Sequence, residues 1–361
     1  MSKVEWKRLG DVCCFKKGQM ITLKTAIKGS VPVISSGQQP SFYHNCANRN
    51  GETIVVAGSG AYAGFVSYWD TPIFVADAFS VSPKNLQTII VKYLFYYLQN
   101  NQETIYHTKT TGGIPHVYSR FIENYIIPIP PKHIQQQIVN QLDIFTTLIA
   151  KLESELTLRQ KQYEFYREEL LNFDGDEEVE WKTLGEIGEV STCKRIFKNQ
   201  TYQHGEIPFY KIGTFGKIAD SFISKELYLE YKSKYSFPKK GTILISASGS
   251  IGRTVVYNGE DAYFQDSNIV WIDNDESVVL NTYLKLFYSI TKWVVDDGGV
   301  ISRLYNRNLK ATIIPVPPMH RQQQIVSQLD TFTTLIDKLE REIALRQKQY
   351  EFYREKLLTF E

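Results

Sequence analysis

From Ile138 onward the apolar residues of this chain fall alternately four and three positions apart: Leu142, Phe145, Ile149, Leu152, Leu156, then Tyr163, Tyr166 and Leu170, with Arg159 in register. A stripe this narrow is the seam of a coiled coil rather than the broad face of a helix lying on a globule. It recurs near the C-terminus through Ile325, Leu329, Phe332, Ile336, Leu339, Ile343, Tyr350, Tyr353 and Leu357, with Arg346 in the place of Arg159. Each stripe follows a Pro-Pro pair, which suits a first helical turn. No breaker interrupts either for about 40 residues, so each predicts a rod of roughly 60 Å.

Both stripes belong to one duplicated stretch. Residues 126–173 read IIPIPPKHIQQQIVNQLDIFTTLIAKLESELTLRQKQYEFYREELLNF, and residues 313–360 read IIPVPPMHRQQQIVSQLDTFTTLIDKLEREIALRQKQYEFYREKLLTF. Roughly 37 of the 48 positions are identical, too many for shared helix composition. A lone rod would leave its seam in water, so the expected partner of each is the other, in an antiparallel two-stranded coiled coil. The competing reading lays each helix on its own globular part. Gln135, Gln136 and Gln137, with Gln322, Gln323 and Gln324, stand where rod meets globule. An interaction role is expected of them, with helix capping or plain solvation as alternatives.

The duplication reaches further. VEWKRLGDV at 4–12 returns as VEWKTLGEI at 179–187, so each half opens on the same element and closes on the same rod. Between them the halves diverge. Short apolar, β-branched runs separated by Gly, Asn and Pro (VPVIS, ETIVVAG and AGFVSYW; IPFYKIG, GTILISA and RTVVYNG) predict strands. KYLFYYLQN and TYLKLFYSI predict a helix in each half. The fold class is α+β. Two correspondences survive: AGSGAYAGFVSYW with SASGSIGRTVVYN, and the Gly-Gly approaches to IIPIPP and IIPVPP. The acidic NFDGDEEVEW at 172–181 marks the boundary between halves.

Composition narrows the chemistry. The formal net charge is only +2, so any basic surface must be local. Four cysteines without a CxxC pair read as free thiols of a reducing compartment, and the charged N-terminus is no signal peptide. No run has the apolar length of a membrane span, and a cytoplasmic location is expected. SGSIGRT lacks the spacing and lysine of a Walker loop, and the six histidines form no ligand motif. Glu5 with Lys7, and Glu180 with Lys182, spell half of a nuclease site but lack an acidic partner. The expectation is a binding protein with no catalytic, cofactor or metal site of its own.

The duplicated PPxxxQQQIVxQLDxFTTLI and LRQKQYEFYRExLL rods, with their WKxLG openers, resemble the conserved regions of type I restriction-modification specificity subunits. The resemblance implies a target recognition domain at 1–130, a central conserved helix at 131–173, a second target recognition domain at 174–317 and a C-terminal conserved helix at 318–361. It implies a pseudo-twofold repeat in which each domain reads one half of an asymmetric, split target in double-stranded DNA. The rods would set the spacing and dock two methyltransferase (modification) subunits, which ATP-dependent nuclease (restriction) subunits then join. S-adenosylmethionine, ATP and Mg²⁺ would belong to those partners.

Base reading calls for groove-facing donors and acceptors, with Arg and Lys suited to guanine and Asn or Gln to adenine. The candidates in polar or Gly-flanked segments of the first half are Lys16, Lys17, Gln38, Ser59, Tyr62, Lys109 and Thr110. In the second half they are Lys194, Arg195, Lys211, Ser248, Ser250, Arg253 and Arg303. The rival class of function is a coiled-coil scaffold whose globular parts bind protein rather than DNA.

Overall fold

The computed structural model describes residues 4–295 and 302–360; Gly298 and Gly299, the second Gly-Gly approach, lie outside them. The chain forms two compact units, Met1–Glu155 with Leu339–Glu361, and Leu156–Lys338. Each comprises a globular lobe, the root of one long helix and the far end of the other.

The long helices are Lys132–Leu170 and Met319–Leu358, of 39 and 40 residues. Proline lacks an N–H to lose at a helix start, and its carbonyl is free to accept. Pro131 O accepts from the N–H groups of Ile134 and Gln135 at 2.9 and 3.1 Å, and Pro318 O from Arg321 and Gln322 at the same distances. The helices pair antiparallel. In the first unit Phe145 stacks on Tyr353, and in the second Tyr166 stacks on Phe332, each with ring centroids 5.3 Å apart. Between these stacks Ile149, Leu152, Leu156, Ile336 and Leu339 are partly buried and Ile343 fully.

Toward each root the stripe acquires a further partner. Ile138 and Leu142 lie in the core of the first lobe with Leu94 and Val91, while Ile325 and Leu329 lie in that of the second with Leu284 and Val279. The far helix ends join the same cores, through Leu358 in the first and Leu171 in the second. The two readings of the stripe, helix against helix and helix against lobe, thus apply to different stretches of one seam. Arg346 is held along its own helix by Glu342 and Gln349, at 2.7 and 2.8 Å, and Arg159 donates to Gln162 at 2.8 Å.

A two-stranded ribbon closes each lobe. The opener strand Glu5–Arg8 pairs antiparallel with Ile126–Ile129, and Glu180–Thr183 pairs with Ile313–Val316 in the matching register. Between the ribbons the lobes share a topology that their sequences conceal. In the first, an antiparallel sheet orders Cys13–Lys17, Ala78–Pro83, Thr53–Ala57 and Val66–Trp69. In the second, Gly188–Ser191, Ile269–Asn274, Ile243–Ser246 and Thr254–Val256 take the same places. A smaller sheet has Val31–Ile34 antiparallel to Phe42–His44 and parallel to Phe74–Val75; its counterpart sets Ile207–Tyr210 between Phe222–Ile223 and Tyr263–Phe264. The expected helices are Val91–Asn100 and Asn281–Tyr288. The second lobe adds one that the apolar pattern does not predict, Lys225–Lys234, started by the Ser224 hydroxyl accepting from Leu227 N–H.

Lobe and rod are joined by one buried carboxamide per unit. Gln135, fully buried, accepts from Ile90 N–H at 2.9 Å and donates to the carbonyls of Thr88 and Pro130, both at 2.8 Å. Gln322 repeats the arrangement with Leu280 N–H at 3.0 Å and the carbonyls of Val278 and Pro317 at 2.9 Å. Of each glutamine triplet the first member therefore has an interaction role, directed inward. It serves the backbone just before the lobe's helix and that of its own Pro-Pro entry. Nearby, Tyr93 and Tyr283 donate to the carbonyls of Pro128 and Pro315 at 2.9 and 3.0 Å. Gln135→Ala removes the partner of one buried and two part-buried backbone groups and should lower stability by about 1–3 kcal/mol in urea denaturation, whereas Gln137→Ala, exposed on the same turn, should change it by less than about 0.5 kcal/mol.

Candidate nucleic-acid interface

In each lobe a Gly-Ser turn, the start of a central strand and the segment leading to the helix root converge. Ser59 bridges to His116, and Ser248 to Arg303. Gly60 and Gly249 follow at φ of 77° and 65°, a conformation that glycine adopts without strain. The next residues are pinned alike: Val117 N–H donates to Gly58 O at 3.0 Å, and Leu304 N–H to Ala247 O at 2.9 Å. Ser59 donates to the Asp77 carboxylate, where Ser248 donates to Asn268 Oδ1 at 2.9 Å. The faint sequence likeness of these turns is thus a likeness of structure.

Several candidate residues gather here. In the first lobe Thr110 meets His116 through two bonds, its N–H to His116 O and its hydroxyl from His116 N–H, both 3.0 Å, which places it beside Ser59. In the second, Arg195 pairs with Asp266 at 2.8 Å and Arg303 donates to Ser267 O at 2.6 Å, so both surround the turn that carries Asn268 and hence Ser248. Ser267 has a φ of 53°, which is uncommon outside glycine.

Others stand elsewhere. Lys16 and Lys17 are exposed on an edge strand, and their carbonyls accept from Arg49 at 2.9 and 3.0 Å. Gln38 and Tyr62 are exposed in loops. Lys109 lies 4.0 Å over the Tyr106 ring, and Lys194 lies 4.9 Å over that of Tyr235. Lys211 pairs with Asp220 at 2.9 Å. The Ser250 carbonyl accepts from the Ser246 hydroxyl. Arg253 is turned inward: it donates to Ile212 O at 3.0 Å, and its guanidinium stands over Phe215.

Reading by residue type overlooked the apolar members of the surface. Met20 is 96% exposed, with Leu23 and Ile27 exposed beside Lys24 and Lys28. Phe197 and Tyr202 are exposed in the corresponding segment of the second lobe, near Lys194, Arg195 and Lys198. The signal was the charge pattern. No acidic residue falls between Asp11 and Glu52 or between Glu189 and Glu206. These are local runs of positive charge within a near-neutral total, and they suit a polyanionic partner. Tyr118 and Arg120, with Tyr305 and Arg307, were also missed.

Two of the four thiols, Cys13 and Cys193, are buried. Burial pushes Cys13 and Cys193 up to about 12, far from the thiolate range. Glu5 and Lys7 pair at 2.6 Å and Glu180 and Lys182 at 2.7 Å on exposed ribbon strands. Among the described residues no three His, Cys, Asp or Glu side chains are grouped to hold a metal, and no helix is long and apolar enough to cross a membrane.

A family model described as the type I restriction modification DNA specificity domain matches residues 1–158 and 176–346, and the chain belongs to that family. A putative type I restriction enzyme specificity subunit of Haemophilus influenzae is 44% identical, over 99% of this chain and 96% of that protein. The EcoR124I/EcoR124II specificity subunit of Escherichia coli is 28% identical, over 99% of this chain and 95% of its own. The crystal structure of a type I restriction-modification S subunit from M. genitalium has the same fold, with a TM-score of 0.70 at 18% identity, covering 100% of this chain and 97% of that one.

The candidates differ in what they hold, and substitution separates them. Arg253→Ala should cost about 2 kcal/mol in denaturation by freeing a carbonyl and unpacking Phe215. Lys16→Ala, on the exposed edge, should leave stability within about 0.5 kcal/mol.

Proposed function

We propose that this chain is the DNA-specificity subunit of a type I restriction-modification system, in which each lobe reads one half of a split target. The observation that carries this reading is the contrast between frame and lobes. The lobes share one topology but present different side chains at matched places: Lys17 against Thr192, Asp77 against Asn268, His116 against Arg303. Two frames alike in shape but unlike in donors and acceptors suit two half-sites of different sequence.

The helices are assigned the spacing of the half-sites and the docking of two copies of one methyltransferase subunit, through which restriction subunits join. Support for twin docking comes from the frame's surface. The run LRQKQYEFYRE is the same at 158–168 and 345–355 on every helix face, and within it Phe165 and Phe352 are both 59% exposed. Trp6 and Trp181, on the two openers, are also both exposed. Each phenylalanine rests edge-on against a seam tyrosine, Tyr166 or Tyr353, but its remaining surface stays in water, where two contacts with one kind of partner would cover it. S-adenosylmethionine is assigned to the modification subunits, and ATP and Mg²⁺ to the restriction subunits.

The test is an exchange. When residues 10–125 are replaced by the matching lobe of a relative with a different target, and the chain is co-expressed with its modification subunit, modified-base sequencing should show one half-site changed and the other kept. Alteration of both halves would break the assignment of one lobe to each. Binding of the assembled complex to its duplex should also weaken steeply with salt, as phosphate contacts release counterions; an indifferent complex would favour the protein-binding scaffold.

A further inference from the structure

One exposed pair of side chains is the same in both lobes although the surface around it has diverged. The Ser59–His116 and Ser248–Arg303 bridges align the segments that follow, so Tyr118 corresponds to Tyr305 and Arg120 to Arg307. The residue before each tyrosine is buried and pinned, which fixes the tyrosine outward, 42% exposed in the first lobe and 47% in the second. Both arginines are exposed, with guanidinium carbons 4.9 and 5.5 Å from the centroid of their tyrosine. Arg307 also donates to Asn308 at 3.3 Å. Each pair lines a surface cavity at the same place in its lobe, beside Lys17 and Asp77 in the first and beside Thr192 and Arg303 in the second.

If the lobes read different bases, the side chains that read them must differ. A core residue can be kept for packing, but these four are in solvent. An identical exposed pair therefore fits something that two unlike half-sites have in common, and for duplex DNA that is the sugar-phosphate backbone. The chemistry agrees. A guanidinium presents a planar fork to phosphate oxygens, a phenol adds a neutral donor, and the ring beneath restrains the arginine before binding. Among the described cavity residues the adjoining cations are Lys17 and Arg303, and the carboxylate Asp77 is engaged by Ser59.

We propose that Tyr118 with Arg120, and Tyr305 with Arg307, are matched phosphate clamps that grip the DNA backbone beside each half-site without sequence preference. The proposal rests on the specificity-subunit reading. It is tested on the chain assembled with its modification subunits, as wild type, Arg120→Ala, Arg307→Ala and Arg120→Lys. Binding is measured across a salt series to a duplex carrying the target and to one with both half-sites scrambled, and the methylated sequence is mapped for each form. Each alanine variant should weaken both duplexes by the same factor, about five- to tenfold, and flatten the slope of log affinity against log salt by about 1. Arg120→Lys should recover the slope, and the methylated sequence should stay as it is in all forms. Unchanged affinity and slope would overturn the clamp, as would a changed half-site sequence, which would make the arginine a base reader. Loss of the modification subunit with DNA contacts intact would assign the pair to protein docking instead. A wild-type complex indifferent to salt and to duplex would overturn the reading beneath it, and that result needs no comparison among variants.

Discussion

Everything in each unit is referred to one buried carboxamide. Gln135 and Gln322 tie three backbone groups that would otherwise be stranded, and those groups belong to the lobe on one side and to the helix entry on the other. A hydrophobic contact at the same place could slide or rotate; three bonds to fixed backbone positions cannot. The buried tyrosines Tyr93 and Tyr283 add a second tether to the same strand-to-helix passage. In this way a lobe whose surface varies is held to a helix whose sequence does not.

That division lets one frame serve two unlike lobes. The parts that touch the helix roots are repeated closely: the ribbon register, the glutamine, the tyrosine, the Pro-Pro entry. Between opener and helix the parts that face outward mostly are not, although the tyrosine and arginine beyond each bridge are kept. Strand pairing permits this because it is made by the backbone; the central strands are buried on both faces, so the positions left to vary are those of the loops and edge strands. The second lobe even accepts an added helix, Lys225–Lys234, without disturbing the sheet order.

The rods were legible because a heptad stripe repeated in full is a long-range pattern, and the antiparallel pairing followed from their places in the chain. The likeness of the lobes was not, since short strands are specified by alternation and burial that many sequences satisfy. Only the Gly-Ser turns and the Gly-Gly approaches to the rods survived as traces. Gln135 was singled out but its direction was not read: the seam's spacing, carried back three residues from Ile138, falls on Gln135 and passes over Gln136 and Gln137, yet the stripe was drawn from apolar residues alone. Arg253 was chosen by residue type, and residue type does not reveal a ring such as Phe215 waiting beneath. The exposed Met20 and Phe197 were passed over for the opposite reason, because apolar residues are expected to be inside.

Antiparallel pairing of a duplicated helix has a consequence that a parallel pairing would not. Phe332 is the copy of Phe145, and Tyr353 is the copy of Tyr166, so the stack of Phe145 on Tyr353 and the stack of Phe332 on Tyr166 are one contact made twice. Parallel copies in register would instead set Phe against Phe and Tyr against Tyr. Each unit thus contains the same helix-to-helix contact, made by copies of the same two residues. A helix that must meet its own copy in this way is constrained at both ends of each contact, because a change carried into both halves alters two contacts together. The seam therefore resists drift for reasons of packing. Phe165 and Phe352 rest edge-on against the seam tyrosines Tyr166 and Tyr353 while more than half of each stays exposed, so the seam accounts for one side of each ring and not for the side in water.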